Sequence, residues 1–161
     1  MSQRVVKSEA ELREIYDRPS ERAVCKETPT LGDDCRAFIA HSPFLVMGTA
    51  GADGSCDVSP KGDAPGFVHV LDAQRLLVPD RIGNNRLDGL RNIVENGHVA
   101  LMFFIPGRED MLRVNGRATI VRDDDLLDGR VELVEHGLPL RLRVAYAEPR
   151  VDENPASAGR P

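Results

Sequence analysis

The chain has 161 residues, of which 41% are apolar and 29% charged, an ordinary composition for one soluble globular domain with a single core. Its formal net charge of −5 argues against nucleic acid as a partner, because phosphate backbones bind basic surfaces. No apolar run reaches the roughly 18 residues of a membrane span, and no apolar signal region opens the chain. We therefore expect a cytoplasmic protein without membrane contact.

Cysteine and histidine spacing gives no sign of a disulfide framework or a metal site. Cys25, Cys35 and Cys56 are an odd number at wide intervals, without a Cys-x-x-Cys pair or neighbouring histidines. The 4 histidines of the chain are scattered and share no helical metal-ligand spacing. We expect reduced, mostly buried thiols and no bound metal.

Two short helices are predicted before residue 43. The first begins at a capping box formed by Ser8 and Glu11, runs to about Tyr16 and turns Leu12 and Ile15 inward. The second covers residues 35–41. Its cap is Asp33 or Asp34, and its apolar side consists of Cys35, Phe38 and Ile39.

Short strands dominate the rest of the chain. Hydrophobic alternation and turn residues predict strands at 44–50, 56–59, 67–71, 75–78, 99–105, 111–121 and 140–145. Residues 60–66 are predicted as a loop, and a short helix is expected to start at Asp123 and end near His136. This order predicts a mainly-β fold, a small β-barrel with flanking helices.

One longer helix, over residues 85–96, interrupts the strands. Asn84 or Asn85 is its predicted N-cap, and Gly97 ends it. Its apolar face is predicted to contain Leu87, Leu90 and either Ile93 or Val94. The N–H groups at its start, with Arg81 and Arg86 nearby, suit a phosphate. The alternative is an ordinary capped helix with solvent-facing arginines.

Ser59 and Lys61 provide a second part of this hypothesis. They end one predicted strand, whereas Arg81 to Arg86 follow another. If the two strands are neighbours, a hydroxyl, an ammonium, a guanidinium and helix N–H groups converge and can hold a phosphate dianion. Separate exposed charges are the alternative.

The 111–121 strand has two different faces. Leu112, Val114, Gly116, Ala118 and Ile120 fall on one, whereas Arg113, Asn115, Arg117 and Thr119 fall on the other. A half-buried ligand surface has this pattern, and so does an ordinary solvent-facing strand.

Three stretches in order resemble the pyridoxamine 5′-phosphate oxidase-like flavin-binding proteins. They are Asp57-Val-Ser-Pro-Lys-Gly-Asp63, then Pro79-Asp-Arg-Ile-Gly-Asn-Asn-Arg-Leu-Asp88 continued by Leu90-Arg-Asn-Ile93, and Leu112-Arg-Val-Asn-Gly-Arg-Ala118. The resemblance spans about residues 10–145 and implies a split β-barrel, usually a homodimer, with FMN at the subunit interface. It places the FMN phosphate and ribityl chain at Ser59, Lys61, Arg81, Asn84, Asn85 and Arg86. It places Arg113 and Asn115 on the strand that faces the partner subunit's flavin.

FMN is expected rather than a dinucleotide, because one phosphate cluster is visible and no second pyrophosphate cradle follows it. A deazaflavin or haem on the same fold is the alternative. The resemblance implies an FMN-dependent oxidoreductase with NAD(P)H as a candidate electron donor and an unknown substrate. The sequence identifies no catalytic residue. A non-catalytic flavin-binding or sensing module, or a truncated inactive member, is the alternative function.

The C-terminal part departs from the family pattern. Members commonly continue after the strand near Leu142 with a His-Cys-x-Lys-Ala stretch and an Arg/Trp-rich close, whereas this chain enters a Pro-rich polar stretch. We expect one FMN-binding domain over residues 1–147 and a disordered tail over residues 148–161.

Overall fold

A computed structural model of the protein describes residues 5–21, 24, 27–80, 84–122, 131–134 and 142–143. Cys25, Arg81 and the predicted tail lie outside these residues. The described strands form two antiparallel four-stranded sheets and a two-stranded ribbon, with short helices beside them. This architecture confirms the predicted mainly-β class with flanking helices.

The first sheet contains the most regular strands. Its order is β3-β2-β6-β7, with β2 at Phe44–Ala50, β3 at Cys56–Gly62, β6 at His98–Phe104 and β7 at Met111–Arg117. The predicted strand at 44–50 is confirmed, and so is the interior position of the strand after the long helix. The predicted loop at 60–66 is wrong at its start, because β3 continues through Pro60 to Gly62. An edge strand tolerates proline, since one side of its backbone needs no partner.

The inner face of this sheet forms much of the core. Leu45 of β2, Phe103 of β6 and Leu112 of β7 face one another across the strands and have no exposed surface. Alternation with a period of two places the next residues of each strand on the outer face. That outer face includes Val58, which is 67% exposed, and the half-buried Met102.

The second sheet has the order β4-β5-β9-β8, with β4 at His69–Val70, β5 at Leu76–Pro79, β8 at Thr119–Arg122 and β9 at Val131–Val134. The predicted hairpin around residues 72–74 is confirmed, although β4 is shorter than the predicted 67–71 strand. The helix predicted from Asp123 to about His136 is wrong at β9, where Val131 and Val134 belong to a strand between β5 and β8. The rest of that predicted helix lies outside the described residues.

Ala118 divides the predicted 111–121 strand into β7 and β8, which belong to different sheets. Its backbone N–H donates to Gly97 O at 2.7 Å, and its side chain is buried. The predicted face of Leu112 and Val114 is confirmed, because both are buried in the core. The chain therefore passes from one sheet to the other within a single residue.

The remaining strands are β1 at Glu27–Thr28 and β10 at Leu142–Arg143, which pair with each other. β10 lies within the predicted 140–145 strand, whereas β1 was not predicted. Its two residues carry too little periodicity to be recognised.

The helices before β2 whose bounds the structure describes are α1 and α2. α1 spans Glu9–Arg13 with Ser8 as its N-cap, which confirms the predicted start. The inward orientation of Leu12 and Ile15 is wrong, since both are exposed and α1 buries no residue. α2 spans Asp33–His41 and buries the predicted Cys35, Phe38 and Ile39. Its N-cap is Gly32 rather than Asp33 or Asp34, which lie in the first helical turn instead.

Of the two described thiols, Cys56 is exposed, which corrects its predicted burial.

The long helix, α3, spans Asp88–Asn96 and starts later than predicted. Its N-cap is Leu87, which makes no side-chain cap bond, while Gly97 ends the helix with a φ of 72° as expected. The Asn84 side chain instead accepts the Arg86 N–H at 3.0 Å, which makes a local turn before the helix. None of the described helices is long and apolar enough to cross a membrane.

Neighbouring residues of α3 allow a matched stability test. Ile93 is 4% exposed and packs in the core, whereas Val94 is 76% exposed. We expect Ile93→Ala to lower the free energy of unfolding by about 2–5 kcal/mol, because it leaves a cavity. Val94→Ala should change it by no more than about 0.5 kcal/mol. Urea unfolding of both variants measures the difference, and equal losses would contradict the described face of α3.

Candidate functional site

Three polar residues alternate along the inner face of β3. Asp57, Ser59 and Lys61 lie opposite Thr49, Met47 and Leu45 of β2, respectively, and all three are half-buried. The period of two along the strand places them on the same face as the core residues. Since β3 is an edge strand, this polar row forms the border of the core.

The start of α3 lies against this row. A Cβ atom added to Gly89 would be 3.1 Å from Asp57 Oδ2, 3.5 Å from Thr49 Oγ1 and 4.0 Å from Ser59 Oγ. The absence of a side chain at Gly89 thus lets the first turn of the helix approach the strand closely. The first N–H groups of a helix have no partner within it, so the Ser59 hydroxyl and these donors border the same region.

Polar contacts fix α3 to β2 and to the turn after it. Asn92 Nδ2 donates to Thr49 Oγ1 at 3.1 Å, and Asn96 Nδ2 donates to Ala50 O at 2.5 Å. Glu95 Oε2 accepts the Ala52 N–H at 3.2 Å. Thr49 is buried, so its hydrogen bond is shielded from water. These contacts determine where the helix begins relative to Ser59.

Lys61 joins the two sheets through an ion pair. Its Nζ lies 2.6 Å from Oδ1 of Asp80, the residue that follows β5, and the two side chains are 16% and 22% exposed. β3 and β5 are not neighbours in a sheet, so the condition named for the convergence is not met within one sheet. The ends of the two strands nevertheless meet at this ion pair. The Lys61 charge is compensated by a carboxylate.

The residues before α3 are more exposed. Arg86 donates from Nε to Asp88 Oδ2 at 3.0 Å, and its side chain is 77% exposed. Asn84 and Asn85 are also exposed, and Asn85 has a φ of 59°, in the left-handed region that asparagine tolerates. No described contact joins these three residues to Ser59 or Lys61. Arg81 lies outside the described residues.

Arg113 and Asn115 occupy a separate surface. They lie on the outer face of β7, paired with Met102 and Ala100, whereas Ser59 and Lys61 lie on the inner face of β3. The two strands are opposite edges of the sheet, three strand spacings or roughly 14 Å apart. The Arg113 Nε is buried and has no hydrogen-bond partner among the described residues. A single chain does not bring the two groups together.

The described part of the inner site has the donors that a phosphate needs. The Ser59 hydroxyl, the Lys61 ammonium and the N–H groups at the start of α3 can all donate to phosphate oxygens. Carboxylates also lie there, because Lys61 and Arg86 are each paired with an aspartate and Asp57 borders the same helix turn. A phosphate dianion therefore has to compete with carboxylates for these cations.

Several functional candidates were not assigned from the sequence. Asp80 and Asp57 stand within the quoted motifs, but nothing in their spacing indicates that one pairs with Lys61 and the other borders Gly89. The Asn92–Thr49 contact joins residues 43 positions apart, beyond any local pattern. Among the described residues, no group of three histidine, cysteine or acidic side chains could hold a metal ion.

Comparison with known proteins places the chain in context. A family model described as pyridoxamine 5′-phosphate oxidase matches residues 31–139. No curated protein matches the sequence. Among solved structures, the chain is similar to one described as a candidate pyridoxamine 5′-phosphate oxidase from Lactobacillus delbrueckii, with a TM-score of 0.52, 20% identity and coverage of 74% of this chain and 93% of that one. HupZ from Group A Streptococcus gives a TM-score of 0.51, 17% identity and coverage of 72% and 98%. At these identities, the structural likeness shows the fold alone.

Proposed function

We propose, since this chain belongs to the pyridoxamine 5′-phosphate oxidase family, that it is an FMN-binding flavoprotein that acts as an oxidoreductase. The observation that supports this most strongly is the meeting of three elements at one place. The inner row of β3 carries Ser59 and Lys61. The start of α3 at Gly89 lies near Ser59, and Asp80 at the end of β5 pairs with Lys61. Ser59 and Lys61 lie in the first motif by which the sequence resembles the family, Asp80 lies in the second, and Gly89 follows Asp88 of the second.

The FMN phosphate is assigned to Ser59, Lys61 and the start of α3. Lys61 supplies a partly buried positive charge, and Ser59 a hydroxyl on the same face of β3. Charge-assisted hydrogen bonds are the stronger ones, so Lys61 should contribute most among these side chains. Asn84, Asn85 and Arg86 are exposed beside the helix and are assigned to the ribityl side of the cofactor.

The proposed partner is a second copy of this chain. Arg113 and Asn115 lie on the face of the sheet opposite to Ser59 and Lys61 and at its other edge. Both groups can contact one FMN if a second chain presents its β7 to the inner site of the first. The buried and unpaired Arg113 Nε gives this face a donor that a ligand can satisfy.

The composition of the outer face also favours a homodimer. Val58 and Phe44 are exposed there, and Met102, Phe104 and Met111 are half-buried. Exposed apolar surface of this kind is typical of interaction sites. A second copy of the chain would cover this surface in both subunits of a two-fold symmetric dimer.

When bound, FMN supplies the redox chemistry, and the protein supplies binding, orientation and electrostatics. Lys61 and Ser59 would fix the phosphate end, while the outer face of a second subunit would enclose the ring. NAD(P)H is the proposed electron donor. The described free thiols, Cys35 and Cys56, are compatible with the proposed cytoplasmic location.

The absorption spectrum is the main test of this function. We expect the protein to purify yellow or to quench FMN fluorescence on titration, and anaerobic NADPH to bleach the flavin absorption. A spectrum typical of haem or of a deazaflavin would show that this group, rather than FMN, is the cofactor. Stoichiometric FMN without reduction or turnover would favour a binding or sensing module over an oxidoreductase. A colourless protein that ignores FMN would contradict the proposal.

Lys61→Ala tests the phosphate assignment. We expect it to weaken FMN binding by about 1.5–3 kcal/mol, the scale for losing a hydrogen bond to a charged group. Arg86→Ala should have a smaller effect, because its guanidinium is mostly exposed and screened by water. Lys7→Ala, an equal charge change at an exposed residue outside the motifs, serves as the control. If Lys61→Ala binds FMN with the affinity of the parent, the phosphate binds at another place.

Val58→Glu tests the proposed dimer. A charge on the outer face should raise the dimer dissociation constant by at least about tenfold, because its burial against a second apolar sheet is costly. Val94→Glu places the same charge on an exposed valine of α3 and should leave the dimer intact. Light scattering coupled to size exclusion measures both. A monomeric parent protein, or a Val58→Glu dimer of unchanged stability, would refute this interface.

A further inference from the structure

Lys61, the proposed phosphate ligand, forms an ion pair with Asp80 in the protein without a ligand. The Lys61 Nζ–Asp80 Oδ1 distance is 2.6 Å, and about four-fifths of each side chain is shielded from solvent, with 16% and 22% exposed. Partial burial reduces the screening of this charge pair by water and salt. The contact therefore differs from the exposed ion pairs elsewhere in the described part of the chain, such as Arg86–Asp88, whose side chains are 77% and 41% exposed.

A phosphate that binds Lys61 has to approach this carboxylate. Lys61 can donate three N–H bonds, but an anion that shares its ammonium lies within a few ångströms of Asp80 Oδ1. Like charges at such distances repel strongly where water is partly excluded. The second carboxylate near the site, Asp57, borders the start of α3 and adds to this repulsion.

We infer that Asp80 is an affinity-determining residue that competes with the ligand's phosphate for Lys61. This inference rests on the proposed phosphate site. Before FMN binds, Asp80 compensates the Lys61 charge and joins the end of β5 to β3. When the phosphate arrives, the ammonium exchanges part of its contact with Asp80 for contact with the phosphate. The ion pair stabilises the free protein and lowers its affinity for the cofactor.

This competition predicts that removing the Asp80 charge lowers the thermal stability of the free protein and raises its affinity for FMN. Asp80→Asn keeps the side-chain shape but removes the charge, so the protein without FMN should unfold at a lower temperature. The same variant should bind FMN at least about tenfold more tightly, because Lys61 is released and a negative charge is removed. A residue that only positions Lys61 for the phosphate would instead lose affinity when it is substituted.

Asp72→Asn is the matched control. Asp72 forms an ion pair of the same length with Arg75, 2.6 Å, in the turn that precedes β5, whereas Asp80 follows β5. The pKa of the Asp72 carboxyl is lowered by the hydrogen bond from the Gln74 N–H and by Arg75, so it is ionised at neutral pH. Its substitution removes one acidic charge and one ion pair but should leave FMN affinity within about twofold of the parent.

The closing experiment titrates FMN into the parent, Asp80→Asn and Asp72→Asn, followed by fluorescence quenching, with thermal unfolding of each protein without FMN. The Asp80→Asn titration is repeated in a Lys61→Ala background, where the gain in affinity should shrink. If the parent binds FMN and Asp80→Asn binds it equally or more weakly, the inference is overturned and the FMN function stands. A gain that is equally large without Lys61 would also overturn it.

Inorganic phosphate separates the remaining outcomes. If none of the proteins binds FMN, thermal unfolding is measured with added phosphate. Greater protection of Asp80→Asn than of the parent would support the competition while the FMN function fails. Equal protection of the two, or none, would overturn both.

Discussion

The pairing of β2 with β3 on one side and β6 on the other is the constraint on which the candidate site depends. Leu45, Met47 and Thr49 of β2 lie opposite Lys61, Ser59 and Asp57. Since side chains alternate along a strand, a slip of one residue would turn all three polar groups of β3 to the outer face and bury Val58 and Pro60 instead. The complete burial of Leu45 makes such a slip costly. The hydrophobic core thus determines which way the candidate phosphate ligands point.

Uncharged residues also shape the candidate phosphate site, because one glycine and two asparagine amides determine how α3 lies against β2 and β3. Gly89 permits the first turn of α3 to lie against Asp57 and Thr49, and Asn92 and Asn96 hold the helix there. These amides bind β2 without adding net charge near the proposed phosphate. Two of the side chains that hold α3 are thus neutral amides, whereas Lys61 is held by a charged contact.

The sequence predicts the elements whose residues form a regular hydrophobic pattern along the chain, and it does not predict contacts between distant segments. Long apolar alternation identified β2 and β6 and the buried side of α2, because burial on one face produces a clear period. The residues before α3 were harder to interpret. Asn84 caps a local turn rather than the helix, and both arrangements use the same side-chain bond. β9 was mistaken for a helix because its partners, β5 and β8, are set by tertiary pairing. The Lys61–Asp80 pair depends on the meeting of two sheets, about which spacing in one sequence carries no information.

The two sheets are connected in two physically different ways. At Ala118 the connection is covalent, since β7 leads into β8 through one buried residue. Between Lys61 and Asp80 it is electrostatic, across the ends of β3 and β5. A covalent corner resists separation under all solvent conditions, whereas an ion pair responds to any change of charge at either end. A change of charge at Lys61 or Asp80 would therefore weaken one contact between the two sheets while leaving the corner at Ala118 intact.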